Sequence, residues 1–248
     1  MKTRLDKLII ERGLAHSRER AQALVLAGKV LVNGQKIEKS GTEIDVESEI
    51  RLLGEDLKYV SRGGLKLEKA LEHWKIKVSG RTCLDVGAST GGFTDCLLQN
   101  GAARVIAVDT GQGQIAFKLR QDHRVRLLEK TNARYLTRGQ LGEPADLITM
   151  DVSFISATLV LPAVVSAAFG EAVERHNRQA IVLVKPQFEA GREHVGKGGI
   201  VKDEAVQNAA VEKVWRYLVD LGAAATDRID SPILGASGNR EFLLYAKF

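Results

Sequence analysis

The stretch Leu84-Asp85-Val86-Gly87-Ala88-Ser89-Thr90-Gly91-Gly92-Phe93-Thr94 is where this sequence could bring a ligand against its own backbone. An apolar run enters a glycine-rich turn and then a helical pattern, and a main chain without Cβ atoms can approach a bound molecule closely there. The spacing is neither the GxGxxG dinucleotide fingerprint nor the phosphate-binding loop that ends in Gly-Lys-Ser/Thr. No lysine follows the glycines to hold phosphates. A second apolar run ends in Val108-Asp109, where a carboxylate can accept hydrogen bonds from both hydroxyls of a ribose. Other charged residues bound apolar runs: Asp151 after Met150, Lys185 before Pro186, and Glu241 after Gly238-Asn239-Arg240, while Lys66 lies in Ser61-Arg62-Gly63-Gly64-Leu65-Lys66-Leu67. One charge at a strand end is ordinarily the solvated boundary of a core. Several at one edge of an open α/β sheet stand where such sheets bind ligands.

A sheet must gather these positions. Thr82 to Val86, Arg104 to Asp109, Val125 to Leu128, Ala145 to Asp151 and Gln179 to Lys185 read as strands with helical patterns between most of them. That alternation predicts a mainly parallel sheet covered on both faces. Two more strands, near Ala223 to Ser231 and Glu241 to Lys247, have no helix between them and are expected to be antiparallel neighbours. The uncharged stretch Val152 to Gly170 nears the ~20 apolar residues that span a bilayer. Four hydroxyl residues dilute it, Pro162 interrupts it and no Lys/Arg cluster flanks it, so it reads as a buried helix after a strand. Gln187 to Lys202 contains Gly191, Gly196, Gly198 and Gly199 with Arg192, Lys197 and Lys202, and reads as a long loop acting as a substrate lid.

The first third of the chain has a different character. Leu5, Leu8, Ile9, Leu14, Ala21, Leu24 and Val25 recur at helical spacing, with Gly13 ending one helix, Ser17 capping the next and Gly28 closing it. Val30-Leu31-Val32, Asn33-Gly34 and Gln35-Lys36-Ile37 form a hairpin signal, and Glu49 to Leu53 supplies another short strand. Residues 1–40 hold 9 basic and 4 acidic side chains and residues 61–81 hold 6 and 2, whereas residues 82–248 hold 19 of each. The net charge of +5 is therefore concentrated at the front, which points to a polyanionic partner there. With 248 residues and 44% hydrophobic content the chain can bury a sizeable core, which excludes disorder. Two cysteines, Cys83 and Cys96, exclude a disulfide framework, and the Met1 to Asp6 start lacks an apolar leader, so a cytoplasmic protein is expected. His16, His73, His123, His176 and His194 show no metal-ligand spacing, and no metal is expected.

Four resemblances sharpen this reading. Arg4-Leu5-Asp6-Lys7-Leu8, Ser17-Arg18, Ala21, Val25 and Gly28-Lys29-Val30-Leu31-Val32-Asn33-Gly34 resemble the α+β RNA-binding module named after small-subunit ribosomal protein four. The resemblance implies an RNA-binding domain over residues 1–53, a linker over 54–61 and a second domain over 62–248. Arg4, Lys7, Arg18, Arg20 and Lys29, with Arg62 beyond the linker, are the candidate RNA contacts, and their phosphate binding would weaken steeply with salt. The glycine-rich turn resembles the first motif of class I, Rossmann-like methyltransferases that use S-adenosyl-L-methionine, which implies a seven-stranded, mostly parallel sheet with helices on both faces. By that resemblance Asp85 lies near the methionine amino end of the cofactor and Gly87, Ala88, Ser89, Gly91, Gly92 and Phe93 form its turn. Asp109 would take the ribose, Asn132 the adenine edge, and Asp151 would border the cofactor.

Lys66, Asp151, Lys185 and Glu241 resemble the Lys-Asp-Lys-Glu tetrad of the FtsJ-like RNA ribose 2'-O-methyltransferases. With the N-terminal module, the whole chain resembles the TlyA family, once labelled haemolysins and associated with rRNA ribose methylation. The strings that carry this are Tyr59 to Leu67, Met150 to Ser156, Val184 to Glu189 and Gly196 to Val201. The implied partner is ribosomal RNA or a ribosomal subunit, with no stable membrane association. A 2'-hydroxyl is a poor nucleophile and a sulfonium methyl an activated one, so the protein must orient the hydroxyl and ease loss of its proton. Lys185, flanked by Asp151 and Glu241, is expected to contact that hydroxyl, either as a cation or as a base, with Lys66 holding the tetrad or a substrate phosphate. The alternatives are a membrane-acting haemolysin, suggested by the family label, and a non-catalytic RNA-binding or ribosome assembly factor.

Overall fold

A computed structural model describes every residue except 16, 54–57, 171–177 and 236. His16, His176 and the first half of the expected linker thus lie outside the described residues. The chain divides into two compact units, residues 1–56 and 57–248.

In the first unit, β1 (Lys2–Arg4) leads into α1 (Leu5–Glu11), then α2 (Arg18–Leu26), β2 (Val30–Val32), β3 (Gln35–Lys36), β4 (Glu43–Asp45) and β5 (Ile50–Leu52). Ser17 Oγ accepts from Arg20 N at 3.2 Å, the cap expected for α2. Asn33 and Gly34 take φ of +49° and +80°, the left-handed backbone that a tight hairpin between β2 and β3 requires. The strands form two small sheets, β3-β2-β5, and β1 paired antiparallel with β4. Three polar-rich residues on each strand of the latter gave no alternation to read. Leu5, Leu8, Ile9, Leu24, Val25 and Val30 pack between the helices and strands as a core.

The second unit opens with α3 (Gly63–His73) and continues β6 (Thr82–Val86), α4 (Gly92–Gln99), β7 (Arg104–Val108), α5 (Phe117–Arg120), β8 (Val125–Leu128), α6 (Arg138–Leu141), β9 (Leu147–Met150) and α7 (Ala157–Phe169). It closes with β10 (Gln179–Val184), α8 (Pro186–Glu189), α9 (Glu204–Asp220), β11 (Ala225–Asp230) and β12 (Phe242–Lys247). The seven strands lie in the order β11-β12-β10-β9-β6-β7-β8, with β12 antiparallel to both neighbours and the pairs among the other strands parallel. Side-chain alternation sends Leu84, Ile106, Ile148 and Val182 to the face covered by α7 and α9. Cys83, Val105, Leu147 and Ile181 go to the face covered by α3 and α4.

Register does the gathering. Val86 pairs with Val108 and Met150, and Val184 pairs with Phe242, so the residues just past these ends emerge along one edge. Because β12 runs backwards, its start meets the carboxyl ends of the parallel strands. Two segments differ from expectation. Tyr59, buried in the α3/α4 core, donates its hydroxyl to Glu68 Oε1 at 2.9 Å, and Val60 N donates to Asp95 Oδ2 at 2.8 Å, so residues 59 and 60 belong to the second unit and not to a linker. The expected loop after Gln187 contains most of α8 and a 3-10 turn, Arg192–His194, because Pro186 pre-sets the first helical turn. Its far end is pinned as well: Asn239 Oδ1 accepts from Val201 N and its Nδ2 donates to Gly199 O, at 3.0 and 2.8 Å.

Candidate active site

The turn after β6 takes its shape from residues that tolerate left-handed backbone: φ is +84° at Gly87, +50° at Ser89 and +96° at Gly91. A Cβ at Gly87 would stand 2.3 Å from the carbonyl oxygen of Asp151, so only glycine lets β6 and β9 emerge side by side here. This is also the switch point of the sheet, since the chain proceeds from β6 outward to β7 and β8, then returns to β9 on the other side.

A cavity of about 430 Å³ opens at that point, lined by Gly87, Ser89, Asp109, Asn132, Asp151 and the apolar Val152, Ile155 and Val160 among others. Asp109 accepts from Ser89 N and Gly111 N, both at 2.7 Å, which fixes its carboxylate against the turn. Asn132 Oδ1 caps the 3-10 turn Ala133–Tyr135 through Arg134 N at 3.0 Å, leaving the Nδ2 amide as the donor with which it could read a ligand. Ala88, Gly92 and Phe93 line an adjoining cavity of about 260 Å³, which shares Gly87, Ser89 and Asp151 with the first.

Gly91 and Asp85 line neither of these cavities. Asp85 is 0% exposed inside the sheet, where Thr94 Oγ1 of α4 and Thr149 Oγ1 of β9 donate to it at 2.6 and 3.2 Å. Burial pushes its carboxyl up to about 7, with the nearby Asp151 charge adding to the rise and the two hydroxyls opposing it. Its place ties β6, α4 and β9 together behind the turn.

The smaller cavity also collects Arg62, Lys66, Asp151, Lys185 and Glu241. The four charges of the expected tetrad are thus together, but as two pairs. Lys66 Nζ lies 2.5 Å from Glu241 Oε2, both side chains almost fully buried. Lys185 Nζ forms an ion pair with Asp151 Oδ1 at 2.6 Å and donates to Ser153 Oγ at 2.6 Å. Lys185 was expected between Asp151 and Glu241; instead Glu241 is taken up by Lys66, because α3 brings a second ammonium to its carboxylate. A further cavity of about 380 Å³ is lined by Ser153, Phe154, Lys185, Gln187, Phe188 and Glu241 among others. Lys185 and Glu241 therefore form part of the wall common to two cavities.

Sequence reasoning did not single out Ser153 or Phe154. Phe154 has a φ of +65°, stands 91% exposed and meets Phe188 at 5.2 Å between ring centroids. A left-handed phenylalanine is a strained position with no sequence signal.

The cations of the first unit are ordered around a carboxylate. Asp6, 0% exposed, receives Arg4 Nε and a terminal Arg4 nitrogen at 3.0 and 2.8 Å, Arg18 Nε at 3.1 Å and Gln22 Nε2 at 3.0 Å. The Arg4 bond, and lesser ones from Gln22 and Arg18, hold the Asp6 carboxyl well below the usual range against the cost of burial. Lys7 and Lys29 are exposed, Arg20 is half-buried, and Arg62 lies exposed in the second unit.

A seven-stranded sheet of this order, with cavities at its switch point, defines a Rossmann-like, methyltransferase-type α/β protein. The chain belongs to the FtsJ-like methyltransferase family, which matches residues 59–248, and it carries an S4 domain, matched over residues 3–50. It is 44% identical over 247 residues to the 16S/23S rRNA (cytidine-2'-O)-methyltransferase TlyA of Mycobacterium tuberculosis, spanning 99% of this chain and 90% of that one. It is 41% identical to Hemolysin A of Brachyspira hyodysenteriae over 98% of both chains. Among solved structures, a Streptococcus thermophilus protein described as a hemolysin shares 45% identity with a TM-score of 0.72, covering 99% of this chain and 88% of that chain. No described helix is long and apolar enough to cross a membrane.

Proposed function

We propose that this methyltransferase methylates a ribose 2'-hydroxyl of ribosomal RNA, with S-adenosyl-L-methionine as donor, Lys185 as the residue that meets the hydroxyl, and the S4 domain as an RNA-docking module. The observation that carries this reading is the Lys185–Asp151–Ser153 cluster, in which Asp151 and Ser153 line the 430 Å³ cavity, Asp151 and Lys185 the 260 Å³ one, and Lys185 and Ser153 the 380 Å³ one. The names of the rRNA 2'-O-methyltransferase relatives support the substrate class.

The donor fits the residues present. The 430 Å³ cavity sets a carboxylate at Asp109, a carboxamide at Asn132 and apolar Val152, Ile155 and Val160 around a space suited to an adenosine. The close turn at Gly87 and Ser89 leads from it toward Asp151. When bound, S-adenosyl-L-methionine supplies a methyl group already activated by its sulfonium charge. What the chain must then do is hold an oxygen in line and manage one proton. Lys185, kept in place by Asp151 and Ser153, reaches the hydroxyl from the far side and either stabilises the developing alkoxide or takes its proton. Lys66 and Glu241 hold each other beside it, closing the wall and keeping the pocket electrically balanced.

The direct test is incubation with labelled S-adenosylmethionine and separated ribosomal subunits, followed by mapping of ribose methylation. The expected result is one or a few 2'-O-methyl sites with wild-type protein and a loss of about 1000-fold in rate for Lys185→Ala. Wild-type turnover by that variant would remove Lys185 from the chemistry. The pH–rate profile separates its two services: a base gives a rate that rises until the lysine is deprotonated, a cation one that falls there. The haemolysin reading has no supporting observation among the described residues.

A further inference from the structure

We infer that Glu189 and Lys213 form a positioning clamp that holds Lys185 against Asp151, an inference that rests on the reading of Lys185 as the residue meeting the hydroxyl. Asp151 and Lys185 both lie past the end of the ladder that joins their strands. The last β9/β10 pair is Met150 with Val182, and no backbone hydrogen bond among the described residues joins the two segments beyond it. Asp151 N donates to Val86 O at 2.9 Å and Val184 pairs with Phe242, so β6 and β12 hold the two backbones; beyond those points each segment turns away into a loop or a single helical turn, and no strand pairing between them fixes the 2.6 Å separation of Lys185 Nζ and Asp151 Oδ1.

The tie is a buried carboxylate four residues beyond Lys185. Glu189, its side chain 2% exposed, accepts from Ser156 Oγ at 2.5 Å and from Ala157 N at 2.6 Å, which joins α8 to the segment that follows Asp151. Lys213 of α9 completes the junction, donating to Glu189 Oε2 at 3.2 Å and to the Glu189 carbonyl oxygen at 3.1 Å. Capping alone does not account for this. The start of α7 has a local cap, since Ser156 Oγ accepts from Thr158 N at 3.3 Å. Burying a distant carboxylate there costs desolvation that its bonds and the Lys213 charge must offset. What the arrangement adds is a fixed relation between the Asp151–Ser156 segment and the Lys185–Glu189 segment, bridged higher up by Lys185 itself.

The test compares Glu189→Ala, Glu189→Gln and Lys213→Met with Asp203→Ala, which removes an ordinary cap at the start of α9, where Asp203 Oδ1 accepts from Ala205 N at 2.8 Å. With ribosomal RNA substrate, the Glu189→Ala variant is expected to lose up to about 100-fold in kcat, the scale of a misplacement near 1 Å, with KM for S-adenosylmethionine unchanged. Glu189→Gln, which can keep both bonds to the α7 segment, is expected to restore most of that rate, and Lys213→Met to lose less than Glu189→Ala. Asp203→Ala should lower thermal stability while leaving kcat alone. A folded Glu189→Ala protein with wild-type kcat, or one whose loss is matched by Asp203→Ala at equal stability, overturns the clamp. A crystal structure of Glu189→Ala, or of Lys213→Met where the first does not fold, judges it without RNA: Lys185 displaced from Asp151 supports it, and an unmoved pair overturns it. Absence of methyl transfer by wild-type protein on every ribosomal RNA would instead defeat the proposed function, leaving the crystallographic distance to decide the clamp.

Discussion

Among the described residues each unit buries one aspartate completely, and the two are treated in opposite ways. Asp6 in the first unit is met by two arginines and a glutamine and is held well below the usual carboxylate range. Asp85 in the second is met by two threonine hydroxyls and is pushed up to about 7 by burial. The guanidinium groups around Asp6 remain half exposed, so one buried anion organises cations that face water. Around Asp85 the surroundings are uncharged, and the charges that matter stand one layer away as two matched pairs. The difference separates two uses of charge: the first unit arranges a surplus, which suits attraction to a polyanion, and the second cancels its charges locally, which suits work on one bond.

The largest test of this contrast is the pH dependence of the second unit. Asp85 is raised from its ordinary 3.8 to about 7, so between those values the folded state binds the extra proton. Stability contributed there falls as pH rises through that window, by about 4 kcal/mol in total. Asp85→Asn removes this component, and urea unfolding should find it gaining on wild type between pH 4 and pH 8. An unchanged difference between the two proteins at those pH values would erase the distinction between the two aspartates.

Asp6 has the opposite sign and a smaller expected effect. Its depressed carboxyl contributes stability that is present above about pH 4 and is lost as pH falls further. Replacing it with asparagine should destabilise the first unit by about 2 kcal/mol at neutral pH, less than for a fully buried pair because both arginines can turn to water. The same variant sharpens the comparison through RNA binding. If only net charge mattered, losing an anion would tighten binding; if Asp6 sets the orientation of Arg4 and Arg18, Asp6→Asn should weaken it, as a salt titration of binding would measure. The smallest effect is expected at the exposed Lys7 and Lys29. Reversing either to glutamate should lower the salt dependence of RNA binding by about one phosphate contact while leaving S-adenosylmethionine affinity unchanged.

Much of this was legible in the sequence for a simple reason. Strands buried on both faces are long apolar runs, so Asp109, Asp151 and Lys185 stand out as interruptions at their ends, and parallel pairing then carries them to one edge. The N-terminal helices were legible through Ser17, Gly28 and Asn33-Gly34, whose local chemistry does not depend on distant residues. What could not be read was the choice of partners. Nothing in the string pairs Glu241 with Lys66 rather than Lys185, since that depends on where α3 lies over the sheet. Asp6 and Asp85 look alike as single aspartates beside apolar residues, and only the packed neighbours separate them. The left-handed Phe154, the β1/β4 pair and the reach of Glu189 to Ser156 are likewise outcomes of tertiary contact.

The backward strand β12 also orders events in time. It lies between β10 and β11 although both precede it in the chain, so β11 has no sheet partner until β12 has been synthesised. Glu241, at the start of that strand, is the carboxylate that Lys66 faces. A nascent chain lacking it presents five parallel strands and a lysine without its counter-charge. The wall shared by two cavities is therefore complete only once the last of the seven strands is in place.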